Sequence, residues 1–187
     1  VETELRNVDD QWLALRALVD EILLNQSAIL SVREFSEVIS AEIPSLQRTS
    51  EEVVEALVER DADQQQVYLA TRQLLLAQRL GDNVSRVLID GLQSSVMIDQ
   101  ARRDTVRFGR VLNGMLTGDS ALGLTRIQGA DAKLAQTAKT FRSISDHVAE
   151  IAELAPNVVP ALAATNDLAP VSDALDQAIG TLSDAFD

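Results

Sequence analysis

The stretch LRNVDDQWLALRALVDEILL, residues 5–24, carries apolar side chains at Leu5, Val8, Trp12, Leu15, Val19 and Ile22. Spacings that alternate between three and four make a coiled-coil-like helical seam and are incompatible with the period of two that a strand requires. After a polar notch at Asn25-Gln26-Ser27 the same spacing resumes through Ile29, Val32, Phe35, Ile39 and Ile43, with nothing resembling a turn between the two blocks. One long helix is expected. Pro44 should kink or interrupt it, because a proline inside a helix lacks the N–H that the backbone ladder needs. Thr49-Ser50-Glu51-Glu52 could then restart it toward Arg60 as a capping box. Continuous from residue 3 to 60, such a helix would extend ~85 Å at ~1.5 Å per residue.

Outward from this helix, Asp61-Ala62-Asp63 supplies N-caps for a second one over about residues 64 to 89, with Val67, Ala70, Leu74, Ala77, Gly81, Val84 and Leu88 on its seam and Asp90-Gly91 at its end. A third is expected over about 95 to 116, burying Met97, Ala101, Phe108, Val111 and Met115, before the break Gly118-Asp119-Ser120-Ala121-Leu122-Gly123. A fourth, over about 130 to 155, buries Leu134, Ala138, Phe141, Ile144, Val148 and Ile151. Pro156, Pro160 and Pro170 then punctuate a less regular passage toward a final helix through Leu175, Ile179 and Leu182. No useful strand alternation occurs. The fold class is all-α: an antiparallel four-helix bundle over residues 28–155, a long N-terminal helix whose residues 1–27 extend beyond it, and a helical C-terminal extension over 156–187. One C-terminal helix cannot bury the whole seam at residues 5–22, so a second protomer or further chain is expected to cover it.

Composition supports a folded core and removes several function classes. The 187 residues are 46% hydrophobic and 24% charged, unlike a disordered chain. A net charge of −13 argues against nucleic acid, whose phosphates are held mainly by Lys and Arg. With no Cys there are no disulfides, thiolate nucleophiles or zinc–thiolate sites, and no apolar run is long enough to span a bilayer. The first residues, Val1-Glu2-Thr3-Glu4, are neither an initiator Met nor a signal peptide, as expected of a piece of something longer. The charge is uneven: residues 1–63 sum to −10 and residues 119–187 to −6, whereas residues 64–118, with seven Arg against four Asp, sum to +3.

That basic waist holds the candidate site residues. Arg72, Arg79 and Arg86 stand seven apart and form one stripe, which Leu69, Leu75, Leu76, Leu80 and Val87 border on the side away from the seam. A helix apolar on two sides has its own bundle and a partner to pack against. Guanidinium groups beside apolar surface can hold a small anion or pair with carboxylates across an interface. Arg72 and Arg79 are therefore candidate anion ligands, with salt bridges to the acidic first helix as the alternative. Leu69, Leu76, Leu80, Arg86 and the Arg103, Arg107 and Arg110 face of the third helix are candidate partner contacts. Gly118-Asp119-Ser120 resembles the start of a GDSL-type esterase block, but the only His, His147, follows Asp146 directly in a helical pattern. A helix-ending turn is the expected role of the Gly118 segment. No enzyme activity, catalytic residue, cofactor or metal site is expected, and no HExxH or calcium-loop pattern occurs.

The run Ala70-Thr71-Arg72-Gln73-Leu74-Leu75-Leu76-Ala77-Gln78-Arg79-Leu80 resembles the R-x-x-L-L-x-x-R helix of the PilJ-type sensor domains of type IV pilus methyl-accepting chemotaxis transducers. Ile43-Pro44-Ser45-Leu46-Gln47 with Glu51-Glu52-Val53-Val54, and Phe108-Gly109-Arg110-Val111-Leu112-Asn113-Gly114-Met115, agree with it, so the resemblance covers about residues 10 to 125. It implies the periplasmic portion of an inner-membrane receptor from a Gram-negative bacterium, flanked by membrane spans and followed by a HAMP linker and a cytoplasmic hairpin, none of which lies in these residues. It implies a homodimer, control of a cytoplasmic chemotaxis kinase through an adaptor, and governance of twitching motility. A pilin subunit or a small anionic ligand is the implied stimulus, since related nitrate-sensing domains hold their anion with an Arg on the helix matching Arg72 and Arg79. It also implies two modules, the first represented here only by its last helix. A structural dimerisation or adaptor bundle without sensing is the alternative function.

Overall fold

The computed structural model describes residues 1–87, 94–128 and 130–186. Five α-helices account for almost all of them: α1 (Glu2–Leu24), α2 (Gln26–Val58), α3 (Gln64–Arg86), α4 (Ser94–Thr117) and α5 (Asp131–Asp184), with one 3-10 turn at Ser120–Leu122. The all-α expectation holds. The end of α3 at Leu88 and Asp90-Gly91 lies outside the described residues.

Lys133 beside Glu52, Ser143 donating to Glu42 and the His147 ring against Phe35 run in opposite order along α2 and α5, so the two are antiparallel. Each helix packs on its neighbours in the ring α2–α3–α4–α5. The core holds Val32, Ile39, Leu46 and Leu57 of α2, Ala77, Leu80 and Val84 of α3, Phe108 and Met115 of α4, and Leu134, Ile144 and Val148 of α5. α1 continues the line of α2 and packs on α5, extending the bundle as a two-helix stalk.

Five local expectations are corrected. Asn25 separates α1 from α2 at the polar notch: its φ is −104° and ψ 10°, and its side-chain Nδ2 donates to the Glu21 carbonyl and carboxylate. α2 runs through Pro44 without interruption. Thr49 and Ser50 therefore cap nothing; both are buried and donate back to carbonyls one turn earlier, Ser45 and Leu46 for Thr49 and Leu46 for Ser50. α5 continues through Pro156, Pro160 and Pro170 as one helix of 54 residues, so the irregular passage and separate last helix do not exist. Each proline removes one backbone bond, and packing along the remaining turns outweighs that loss. The α3 seam is rotated to Gln66, Ala70, Gln73, Ala77, Leu80, Val84 and Val87, leaving Val67 and Leu74 half-buried.

The two seam glutamines are there for specific partners. Gln73 Nε2 donates to the Phe108 carbonyl at 3.0 Å, tying α3 to α4, and Gln66 Nε2 donates to Thr125 in the loop before α5. Asp63 caps α3 by accepting from the Gln65 N–H at 2.8 Å, as its position in the sequence predicts. The α4–α5 connection turns at Gly118, whose φ of 90° disfavours a side chain. Asp119 follows and accepts from the N–H groups of Ala121 and Leu122.

Candidate functional site

Between α3 and α4 lies a groove of about 230 Å³. α3 contributes Leu69, Arg72, Gln73, Leu76 and Arg79; α4 contributes Arg107, Arg110 and Val111; Leu122 of the 3-10 turn closes one end. On α3 the spacings 69/72/76/79 place two leucines and two arginines along one strip, the geometry of i, i+3 and i+7 on a helix. On α4 the positions 107/110/111 do the same from the opposite side. Four arginines thus line a groove with apolar flooring in a protein of net charge −13.

The four are held differently. Arg79 is half exposed, and its Nη2 lies 2.9 and 2.8 Å from the two carboxylate oxygens of Asp104, whose side chain is completely enclosed. Gln100 Nε2, one turn earlier on α4, donates to Asp104 Oδ1 at 3.0 Å. Arg110 Nε is 3.4 Å from Asp119 Oδ2, a looser and more exposed pair. Arg72 stacks its guanidinium 5.7 Å from the centre of the exposed Tyr68 ring. Neither Arg72 nor Arg107 has an ion pair among the described residues.

The sequence-predicted residues therefore divide. Arg72, Arg79, Arg107 and Arg110 converge, with Leu69 and Leu76 between them. Leu80 is corrected: with Val87 it faces the core, each about 1% exposed, because the true seam is turned toward them. Arg86 and Arg103 are exposed and lie outside the groove; Arg103 donates to Gln100 Oε1 at 3.1 Å. The salt-bridge partner of Arg79 is on α4, and the acidic first helix plays no part in it. Asp104 and Gln100 were missed as site residues. The available signal was an acidic residue at the core-facing spacing Ala101–Asp104–Phe108, where a carboxylate has to find a cation.

The esterase-like residues have other partners. The Asp119 carboxylate serves as turn cap and partner of Arg110, while His147 Nδ1 is 2.8 Å from the Ser143 carbonyl and its ring packs against Phe35. Among the described residues no group of three His, Asp or Glu gathers as a metal site. No described helix is long and apolar enough to cross a membrane.

No family model matches the chain. Two curated relatives do. Protein PilJ of Pseudomonas aeruginosa is 34% identical across the whole of this chain, which covers 28% of that protein. The methyl-accepting chemotaxis AlkN of Alcanivorax borkumensis is 37% identical over 79% of this chain and 22% of its own length. A helical bundle with relatives of this kind is a segment of the methyl-accepting chemotaxis class. Within that class the chain belongs to the PilJ-type transducers, and it spans about a quarter of the length of the relatives it matches.

Proposed function

We propose that the chain is the periplasmic sensory part of a methyl-accepting chemotaxis receptor governing type IV pilus twitching motility. It is non-enzymatic, borne by an inner-membrane protein of a Gram-negative bacterium, and works as a homodimer. An anionic ligand, or an acidic face of a pilin subunit, is received in the α3/α4 groove and changes how α4 sits on α5. α5 packs on α4 in the bundle and on α1 in the stalk, which supports a route from groove to stalk. A cytoplasmic kinase and adaptor would be reached through parts of the receptor outside these residues.

The observation that carries this reading is the convergence of Arg72, Arg79, Arg107 and Arg110 on one groove. Its test uses full-length receptors bearing Arg72→Ala or Arg107→Ala, neither of which breaks an ion pair within the described residues. Both variants are expected to reach wild-type abundance and to lose the pilus-dependent response. Wild-type responses from both would remove the groove from the function.

The alternative is a structural dimerisation or adaptor bundle, and one feature supports the dimer that both readings share. α1 buries no residue, and Leu5, Trp12 and Val19, seven apart, are 50%, 54% and 39% exposed while Val8, Leu15 and Ile22 turn toward α5. Half of the apolar seam thus faces outward, matching a second copy of the stalk. Because the chain has no Cys, Trp12→Cys introduces a single thiol, expected to form a disulfide between two copies under oxidation. A crosslink combined with normal signalling by Arg72→Ala would favour the adaptor. No crosslink would count against the dimer in both readings.

A further inference from the structure

We infer that Asp104 is the built-in counter-anion of the groove: it neutralises Arg79 from beneath and leaves Arg72 and Arg107 to receive an incoming anion. This rests on the anion-receiving role proposed above for the groove. The Asp104 side chain is 0% exposed and Arg79 50% exposed, so the pair has its acid in the interior and its base at the groove wall. Both carboxylate oxygens accept from Arg79, and one also accepts from Gln100. An external anion competing for Arg79 would strand a buried carboxylate, a larger cost than an exposed contact returns. Arg79 is thereby a positioning residue held by α4.

The Arg110–Asp119 pair is looser, at 3.4 Å with both side chains partly exposed. Counting four guanidinium groups against the Asp104 and Asp119 carboxylates leaves the groove at +2. Arg72 and Arg107 supply that balance, because neither has a carboxylate partner among the described residues. The pair adds little net field while it is intact, but removing Asp104 alone uncovers the Arg79 charge, whose attraction is about twice as large in free energy for a dianion as for a monoanion.

The test titrates the 187-residue chain with malonate and with acetate at constant ionic strength, following the arginine side-chain N–H resonances. Wild type, Asp104→Asn, Arg72→Gln and the double variant Asp104→Asn/Arg79→Gln are compared. Asp104→Asn is expected to bind malonate about tenfold tighter and acetate about threefold tighter, as removal of one nearby negative charge predicts. The double variant removes the pair as a neutral unit and is expected to bind malonate within about twofold of wild type, and it decides the matter if Asp104→Asn alone unfolds. If wild type binds malonate but Asp104→Asn binds it no tighter, Asp104 does not offset the groove's charge, and if the double variant loses as much affinity as Arg72→Gln, Arg79 is itself an anion ligand; either result overturns the inference while the groove keeps its role. If wild type binds neither anion, the groove's role falls, and the inference with it.

Discussion

Replacing Phe108 by Ala is expected to lower the unfolding free energy by about 3–5 kcal/mol, the usual cost of emptying a phenylalanine site in a packed interior. Phe108 is 1% exposed, and its ring stacks on Phe141 with centroids 4.7 Å apart and planes 21° from parallel, so both α4 and α5 lose contact when it goes. Its carbonyl also accepts from Gln73, so a shift of α4 disturbs the helix that carries Arg72 and Arg79. Thermal unfolding followed by circular dichroism should show the midpoint fall by about 6–20 °C. A loss under about 1 kcal/mol would place the centre of the core elsewhere.

Removing the cation from the enclosed pair gives the second large effect. Arg79→Leu leaves Asp104 enclosed with Gln100 alone, and breaking a buried pair from one side costs about 3–5 kcal/mol. Because Arg79 is half exposed, part of that interaction is already screened, and about 2–3 kcal/mol is the expected loss in urea unfolding. A second change, Asp104→Leu, made on that background should restore most of the stability, since an apolar pair of similar volume has no charge to strand. A single variant as stable as wild type, or a double variant no better than the single, would show that the pair contributes nothing to the fold.

The class of fold was legible because the three-and-four spacing of apolar residues persists through every helix that forms. Where the helices stop was less legible. Pro44, Pro156, Pro160 and Pro170 each carry a local penalty visible in sequence, while the gain that offsets it comes from neighbouring helices that become visible only once they are assembled. The rotated seam of α3 has a related origin. Hydropathy assigns Val67 and Leu74 to the interior in preference to Gln66 and Gln73, yet the glutamines reach acceptors at Thr125 and Phe108 that belong to distant parts of the chain. The arginine stripe was readable from spacing alone. Its division into bound and unbound guanidinium groups was not, because it depends on Asp104, a carboxylate whose enclosed position on α4 beside Arg79 appears only when the two helices are packed.

The unbroken α5 also has a mechanical meaning. With three prolines between residues 156 and 170, the helix lacks three of its ladder bonds along one short length, and bending stiffness is lowest there. The rise per residue along the axis is still fixed by the bonds that remain. Such an element is a tie with a flexible joint: it absorbs tilting of the bundle near its middle, but a pull along its length is carried to the far end, some 80 Å from where it began at ~1.5 Å per residue.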